Sequence, residues 1–250
     1  MNLYVLGNGF DKAHDLKTDY ENFELYLRKK DINCYLNCIK LIEKYSKIHH
    51  NTIIPNNLWK SFEENISNIN VVEFPVDHDL RVILDLKRYF NQWVKSIDIK
   101  CLIKREFLHD DYFLTFNYTE VLEINAEKIC HIHGNLENPV FGGNVIGIIY
   151  PDESLNVLTK KSVKNANAYI SEIYKNSSQR LEENIDFLMK AIRADKIIVF
   201  GHSLGFLDRI YFDFLSKNAS NNTEWVFYYF TEDDRKKAKE IADSLKIKKY

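Results

Sequence analysis

The chain is poor in the residues that break or bend a backbone. Among 250 residues there are eight glycines and four prolines. That sparsity excludes collagen-like and low-complexity chains, and an aromatic content of 14 % argues against disorder. Charge of one sign is also lacking: 34 Lys and Arg face 36 Asp and Glu, a formal net charge of −2. This balance gives no support for a general nucleic-acid binder, so no nucleic-acid partner is expected, although a local basic patch stays open. No run approaches the ~18 apolar residues of a membrane span, and the basic region and cleavage site of a signal peptide are missing. A cytoplasmic protein with no membrane partner is expected. The four cysteines, Cys34, Cys38, Cys101 and Cys130, then read as reduced thiols. Cys34 and Cys38 at i, i+4 could share a metal, but zinc takes about four ligands and no second pair is spaced to match. Buried thiols are the better reading, and no metal site is expected.

What glycine there is falls in few places. Positions 7, 9, 134, 142, 143, 147, 201 and 205 hold all of it, with none between Gly9 and Gly134. Leu3 to Leu6 is a short apolar run closed by Gly7-Asn8-Gly9, then Phe10-Asp11. Such a run reads as a buried strand followed by a tight turn. FLTFNYT (113–119), ICHIHGNL (129–136) and IIVFGHSLG (197–205) have the same form. Strands with continuous rather than alternating hydrophobicity, separated by helical periodicity, predict an α/β fold. Its sheet is open, mostly parallel, Rossmann-like and covered by helices. Ligand chemistry in such sheets sits beyond the strand carboxyl ends.

Between the first and second strands, residues 20–108 are mainly helical, far longer than an ordinary crossover. We read them as a helical insertion or cap within a single α/β domain spanning 1–250. Thr18 or Asp19 is the expected N-cap of its first helix, with Glu21 completing a capping box from Thr18. A helix over 57–69 places Trp59 and Glu63 near Ile66, with Glu63 either a solvated charge or facing the glycine loop. Residues 136–155 read as a loop over the sheet edge. Residues 156–193 read as helical, 224–230 as the last strand, and 233–245 as a charged amphipathic helix.

The chemistry-bearing residues lie at the strand ends. Gly7-Asn8-Gly9 starts like a dinucleotide fingerprint, but its third glycine position is Lys12, and a helix follows where a second strand should. A standard nicotinamide dehydrogenase is therefore not expected, and no Walker phosphate loop is present. Gly201-His202-Ser203-Leu204-Gly205 matches the nucleophile elbow, but a hydrolase of that class needs a later histidine, and His202 is the last in the chain. A serine hydrolase on Ser203 is therefore a rival, testable with a fluorophosphonate probe. Asn117 and His133 are the better pair: histidine moves protons near neutral pH, and asparagine can orient a water or hydroxyl. His131 and His133 alternate and should face opposite sides, with His133, beside Gly134, the more accessible.

GNGFD with DLKTDYENF, LWKSFEENI, FLTFNYT, HIHGNL and FGHSLGFLD together resemble the AbiH family, associated with bacterial abortive infection against phage. The motifs span almost the whole chain in the family's order. More distantly they resemble the sirtuin-like NAD-binding fold. That resemblance implies NAD or a related nucleotide as ligand or substrate, with no tightly bound cofactor. Gly7, Asn8, Gly9 and Phe10 match the first loop, where backbone N–H groups at a helix start would hold phosphate. Thr115, Asn117 and Tyr118 match the asparagine motif, His133 and Gly134 the histidine motif. Gly201, His202 and Ser203 match the later loop, closed by Asp208. The implied catalytic set is His133 as general base, Asn117 to position water or a ribose hydroxyl, and Asp11 to orient the loop or stabilise positive charge. The four cysteines do not fit the paired zinc ligands of sirtuin deacylases, so protein deacylation does not follow. An antiphage effector that cleaves or binds a nucleotide is expected. A non-catalytic nucleotide- or phage-sensing module, a nucleic-acid-directed effector, a phage trigger and a homo-oligomer all stay open.

Overall fold

The computed structural model describes residues 1–48, 59, 62, 65, 77–99, 107–124, 126–140, 142, 161, 163, 164, 167, 168, 171 and 174–250. Five strands, β1 (Asn2–Leu6), β2 (Tyr112–Thr115), β3 (Ile129–His131), β4 (Lys196–Phe200) and β5 (Glu224–Tyr228), pair into one sheet. Its order is β3-β2-β1-β4-β5 and every pairing is parallel. The chain moves outward from β1 to β3 and then returns to the other side of β1. The topological switch point of the sheet therefore falls between β1 and β4.

Both faces are buried, as the continuous apolar runs require. Helices α5 (Ser177–Glu183), α6 (Ile185–Ala191) and α7 (Arg209–Asn218) follow β3 and β4. Leu3, Val5, Leu114, Cys130, Ile197, Val199 and Trp225 pack in one cluster with Leu188, Ala191, Tyr211, Phe212 and Leu215 of α6 and α7. The intervening residues Tyr4, Leu6, Phe113 and Ile198 cluster on the other face with Phe10 of α1 (Asn8–Ala13), Val121 and Leu122. A helix over 156–193 is expected, but α5 and α6 are two helices. Asn184 stands between them, and its Nδ2 donates to the Arg180 carbonyl at 2.8 Å. A side chain that bonds the preceding turn offers the backbone an alternative to continuing the helix. Asn176, at φ 47°, marks the break before α5.

A second compact unit is formed by residues 19–96 and 140–176; the first holds 1–18, 97–139 and 177–250. Asp19, not Thr18, caps α2 (Tyr20–Lys30), accepting from the Asn22 amide at 3.0 Å. The Thr18 hydroxyl is instead hydrogen-bonded to the Asn8 side chain, so the expected capping box with Glu21 does not form. Asp31 then caps α3 (Ile32–Ile48) through the Cys34 amide at 2.9 Å and separates the two helices. Phe23 is fully buried, with ring contacts to Trp59, Phe62, Phe90 and Trp93 at 5.3 to 5.9 Å; the last two belong to α4 (Asp77–Lys95). Cys34 and Cys38 are buried free thiols, and burial raises the pKa of both. Glu63, Leu58, Ile66, Cys101 and most of 141–173 lie outside the described residues. The final helix α8 (Glu232–Ser244) opens with a capping box between Thr231 and Asp234. Among the described residues no helix is long and apolar enough to cross a membrane.

Gly201 has φ +64°, and a Cβ there would lie 2.5 Å from the Gly9 backbone. Gly205 meets only the Ser203 hydroxyl at 3.6 Å. Gly201→Ala should therefore destabilise the protein by at least about 2 kcal/mol in chemical denaturation, combining left-handed strain with a backbone clash, while Gly205→Ala should change it by less than about 1 kcal/mol.

Candidate functional site at the strand ends

At the switch point the β1 and β4 turns are joined backbone to backbone. The Gly7 amide donates to the Phe200 carbonyl at 3.0 Å and the Gly9 amide to the Gly201 carbonyl at 2.8 Å. A Cβ on Gly7 or Gly9 would come within 2.5 Å of His202 Cα or Gly201 Cα. These glycines thus serve a chain-to-chain approach. The Phe10 amide is also engaged, to the Gly7 carbonyl at 2.9 Å. Of the three amides expected to hold phosphate, Asn8 to Phe10, two are bonded within the protein. Helix α1, at six residues, is also too short to present a strong positive end.

Asp11 on α1 is 1 % exposed and organises the side of the sheet edge that α1 covers. Asn117 Nδ2 donates both to Asp11 Oδ1 at 2.9 Å and to the Gly7 carbonyl at 3.1 Å. Thr119 Oγ1 donates to Asp11 Oδ2 at 2.8 Å, and Thr115 Oγ1 accepts from the Asn117 amide at 3.1 Å. Both protons of the Asn117 amide are committed, which fixes its orientation and leaves Oδ1 as the atom that can accept from a ligand. Burial pushes the Asp11 carboxyl up to about 6, against the opposing hydrogen bonds from Thr119, Asn117 and Thr18. Thr18 and Thr119 were not among the expected site residues. Their only sequence signal was a hydroxyl two residues from Asn117 and one just past α1. Tyr118, between Asn117 and Thr119, is half-buried.

The next side chain back from Asn117, Phe116, belongs to the cluster on the opposite face. There Asp208, in the 3₁₀ turn Phe206–Asp208, meets two imidazoles. His133 Nε2 lies 3.1 Å from Asp208 Oδ1 and His202 Nε2 lies 3.4 Å from Asp208 Oδ2. Phe116 packs edge-on against both rings, at centroid distances of 5.0 and 4.3 Å, and against Tyr211 at 5.4 Å. His202 Nδ1 accepts the Leu204 amide at 2.9 Å, so its proton is on Nε2 and its ring is neutral. His133 is the ring beside Asp208 whose state this leaves open. Sequence placed His133 as the more accessible of the strand-end pair. It is 5 % exposed, because the ring turns in against Phe116 and Tyr211, while His131 is half-buried. Gly134, at φ 77°, makes the turn that follows. Tyr211 was missed by sequence reasoning; burial raises its phenol to about 12.

Ser203 is exposed, and the positive φ of this turn falls on Leu204 at 55° rather than on the serine. The neighbouring imidazole of His202 is directed to Asp208. Neither feature suits a nucleophile elbow, in which the serine itself occupies the strained position. Among the described residues no group of three or more His, Cys, Asp or Glu is arranged to hold a metal ion.

An all-parallel open sheet in this order, with polar side chains gathered beyond the strand carboxyl ends, defines an α/β protein of Rossmann-like class. A sequence-family model described as bacteriophage abortive infection AbiH matches residues 3–81 and 76–229. The chain belongs to that family, and its role is in abortive infection against phage. No curated protein and no solved structure matches it.

The Asp11 network has a pH consequence. A carboxyl that titrates near 6 when folded and near 3.8 when unfolded binds its proton more tightly in the folded state. Its contribution is fully present below pH ~4 and is lost as pH rises through about 6. Relative to Asp11→Asn, the wild type should therefore lose about 3 kcal/mol between pH ~4 and ~7, read from parallel denaturation curves.

Proposed function

We propose that this AbiH protein is an abortive-infection effector that binds NAD or a related nucleotide at the strand carboxyl ends and hydrolyses its glycosidic bond. The observation that carries the proposal is the approach of His133 Nε2 to the Asp208 carboxylate at 3.1 Å, with the Asn117 amide, its donors already committed, at the neighbouring strand end. A carboxylate at ion-pair distance from a histidine ring nitrogen favours proton capture by the ring, as a general base requires. In the hydrolytic step a water oxygen bonds to the ribose C1′ as the bond from C1′ to the nicotinamide nitrogen breaks. The bonding pair leaves with nicotinamide, which departs neutral. His133 takes a proton from the water, and Asn117 Oδ1 accepts from that water or from a ribose hydroxyl. Asp11 does not reach the ligand in this scheme; it is a positioning residue that holds Asn117 and Thr119. The committed amides of Gly9 and Phe10 leave phosphate to be held by other groups, Asn8 and Ser203 among the residues of these turns. That same commitment favours a second reading, in which the site binds a nucleotide without turning it over.

Purified protein incubated with NAD and a panel of nucleotides should release nicotinamide and ADP-ribose, read by mass spectrometry. His133→Ala should lower the rate about 10²–10⁴-fold with its melting transition little changed. Binding without product from the wild type would establish the second reading, and unchanged turnover by His133→Ala would remove the base from His133.

A further inference from the structure

His131 is not among the residues assigned to the site above, yet its two ring nitrogens are both spoken for. Nδ1 lies 3.0 Å from the Asn117 carbonyl oxygen, and Nε2 lies 2.6 Å from Glu123 Oε1. A backbone carbonyl is an acceptor only, and so is an ionised carboxylate. A neutral imidazole has one N–H and one lone pair, so it would set a lone pair against one of these oxygens at hydrogen-bond distance. Only the doubly protonated ring satisfies both. Placing the shared proton on Glu123 would reverse the ordinary order of affinities, about 4.3 for glutamate against about 6.5 for histidine. At 2.6 Å the contact is shorter than the ~2.7–2.9 Å of ordinary charge-assisted N–H···O bonds, so the two groups are closely engaged.

We propose that His131 is a standing imidazolium clasp, a positioning residue that ties the Asn117 carbonyl to β3 and thereby fixes the loop carrying Asn117 and Thr119. The Asn117 peptide is then held from three directions. Its carbonyl goes to His131, its amide to Thr115, and its side chain to Asp11 and Gly7. Among the described residues, the charged groups that face His131 are Glu123 and Glu120 from the segment after β2, and Asp11 from α1. All three are acids, so each of them favours the cation. Burial alone works the other way, and the hydrogen bonds to Glu123 and Asn117 outweigh it. A strand-end histidine with a glutamate eight residues earlier, on a short 3₁₀ turn (Leu122–Ile124), is the element that sequence periodicity could not pair.

The consequence for catalysis rests on the proposed role of Asn117, whereas the charge on His131 does not, and the experiment reads the charge without substrate. In ¹⁵N-histidine-labelled protein, the long-range ¹⁵N–¹H spectrum should show both His131 ring nitrogens protonated at pH ~7.5, about one unit above the ordinary histidine midpoint. The signal is assigned by its loss in His131→Gln. Glu123→Gln, at a half-exposed side chain, should leave the fold intact and weaken proton binding at His131 by about tenfold or more. A His131 that is already singly protonated at pH ~7.5 in the wild type would overturn the clasp, as would a Glu123→Gln protein whose His131 titrates unchanged. Nicotinamide release that fails while the NMR result holds would instead fault the proposed reaction.

Discussion

Between β1 and β4 two turns approach so closely that neither can carry a side chain at the contact. Gly9 and Gly201 exchange van der Waals contact through their backbones, and a single Cβ on either would lie 2.5 Å from the other. The amide of Gly9 closes the contact on the Gly201 carbonyl. This lies at the switch point, where an open α/β sheet would otherwise part to admit a ligand. Closing it there sets the register of everything beyond. It fixes where α1 begins and so where Asp11 points. It also fixes where the chain leaves β4, and so the turn that places His202 and Asp208.

Two carboxylates then divide the strand ends between them, buried Asp11 on one face and half-buried Asp208 on the other. Asp11 is surrounded by neutral donors, and burial dominates, which is why its affinity for a proton is raised. Asp208 faces two imidazoles and belongs to the face lined by Phe116 and Tyr211. The contrast follows from chain alternation at one dipeptide. Phe116 points to one side and Asn117 to the other, so an apolar ring packs the histidines while the amide beside it serves Asp11. A buried polar network of this kind is costly unless its members are satisfied, and Asp11 takes its partners Asn117 and Thr119 from 106 and 108 positions away in sequence.

Much of this was legible in the chain. Continuous apolar runs, three of them closed by glycine, marked the five strands and a parallel sheet, because burial on both faces removes the polar alternation. Gly7, Asn117, His133 and Gly201 were singled out because strand ends are where this class of fold exposes chemistry, and Asp208 through the sirtuin-like resemblance alone. What was not legible was which atoms those residues would spend on each other. The glycines read equally well as a phosphate cradle or as a close packing contact, and only the opposite turn decides between them. Thr18 looked like a helix cap because its spacing to Glu21 is right, but Asp19 sits one residue nearer the helix and takes the amide. The relative exposure of His131 and His133 could not be inferred from alternation. It depends on the turn at Gly134, which rotates His133 back onto Phe116.

The protonation pattern follows from hydrogen bonding more than from histidine's ordinary midpoint. His202 must keep Nδ1 bare to accept the Leu204 amide, and His131 faces acceptors on both nitrogens. One ring is held neutral and another charged by partners that cannot change roles. His133 is the strand-end imidazole with the Asp208 carboxylate 3.1 Å from its Nε2. In the proposed reaction the group that exchanges protons must sit among neighbours that do not follow it. The locked turns would supply that rigidity: Gly9 lies against Gly201, and the Asn117 peptide is held at its carbonyl, amide and side chain.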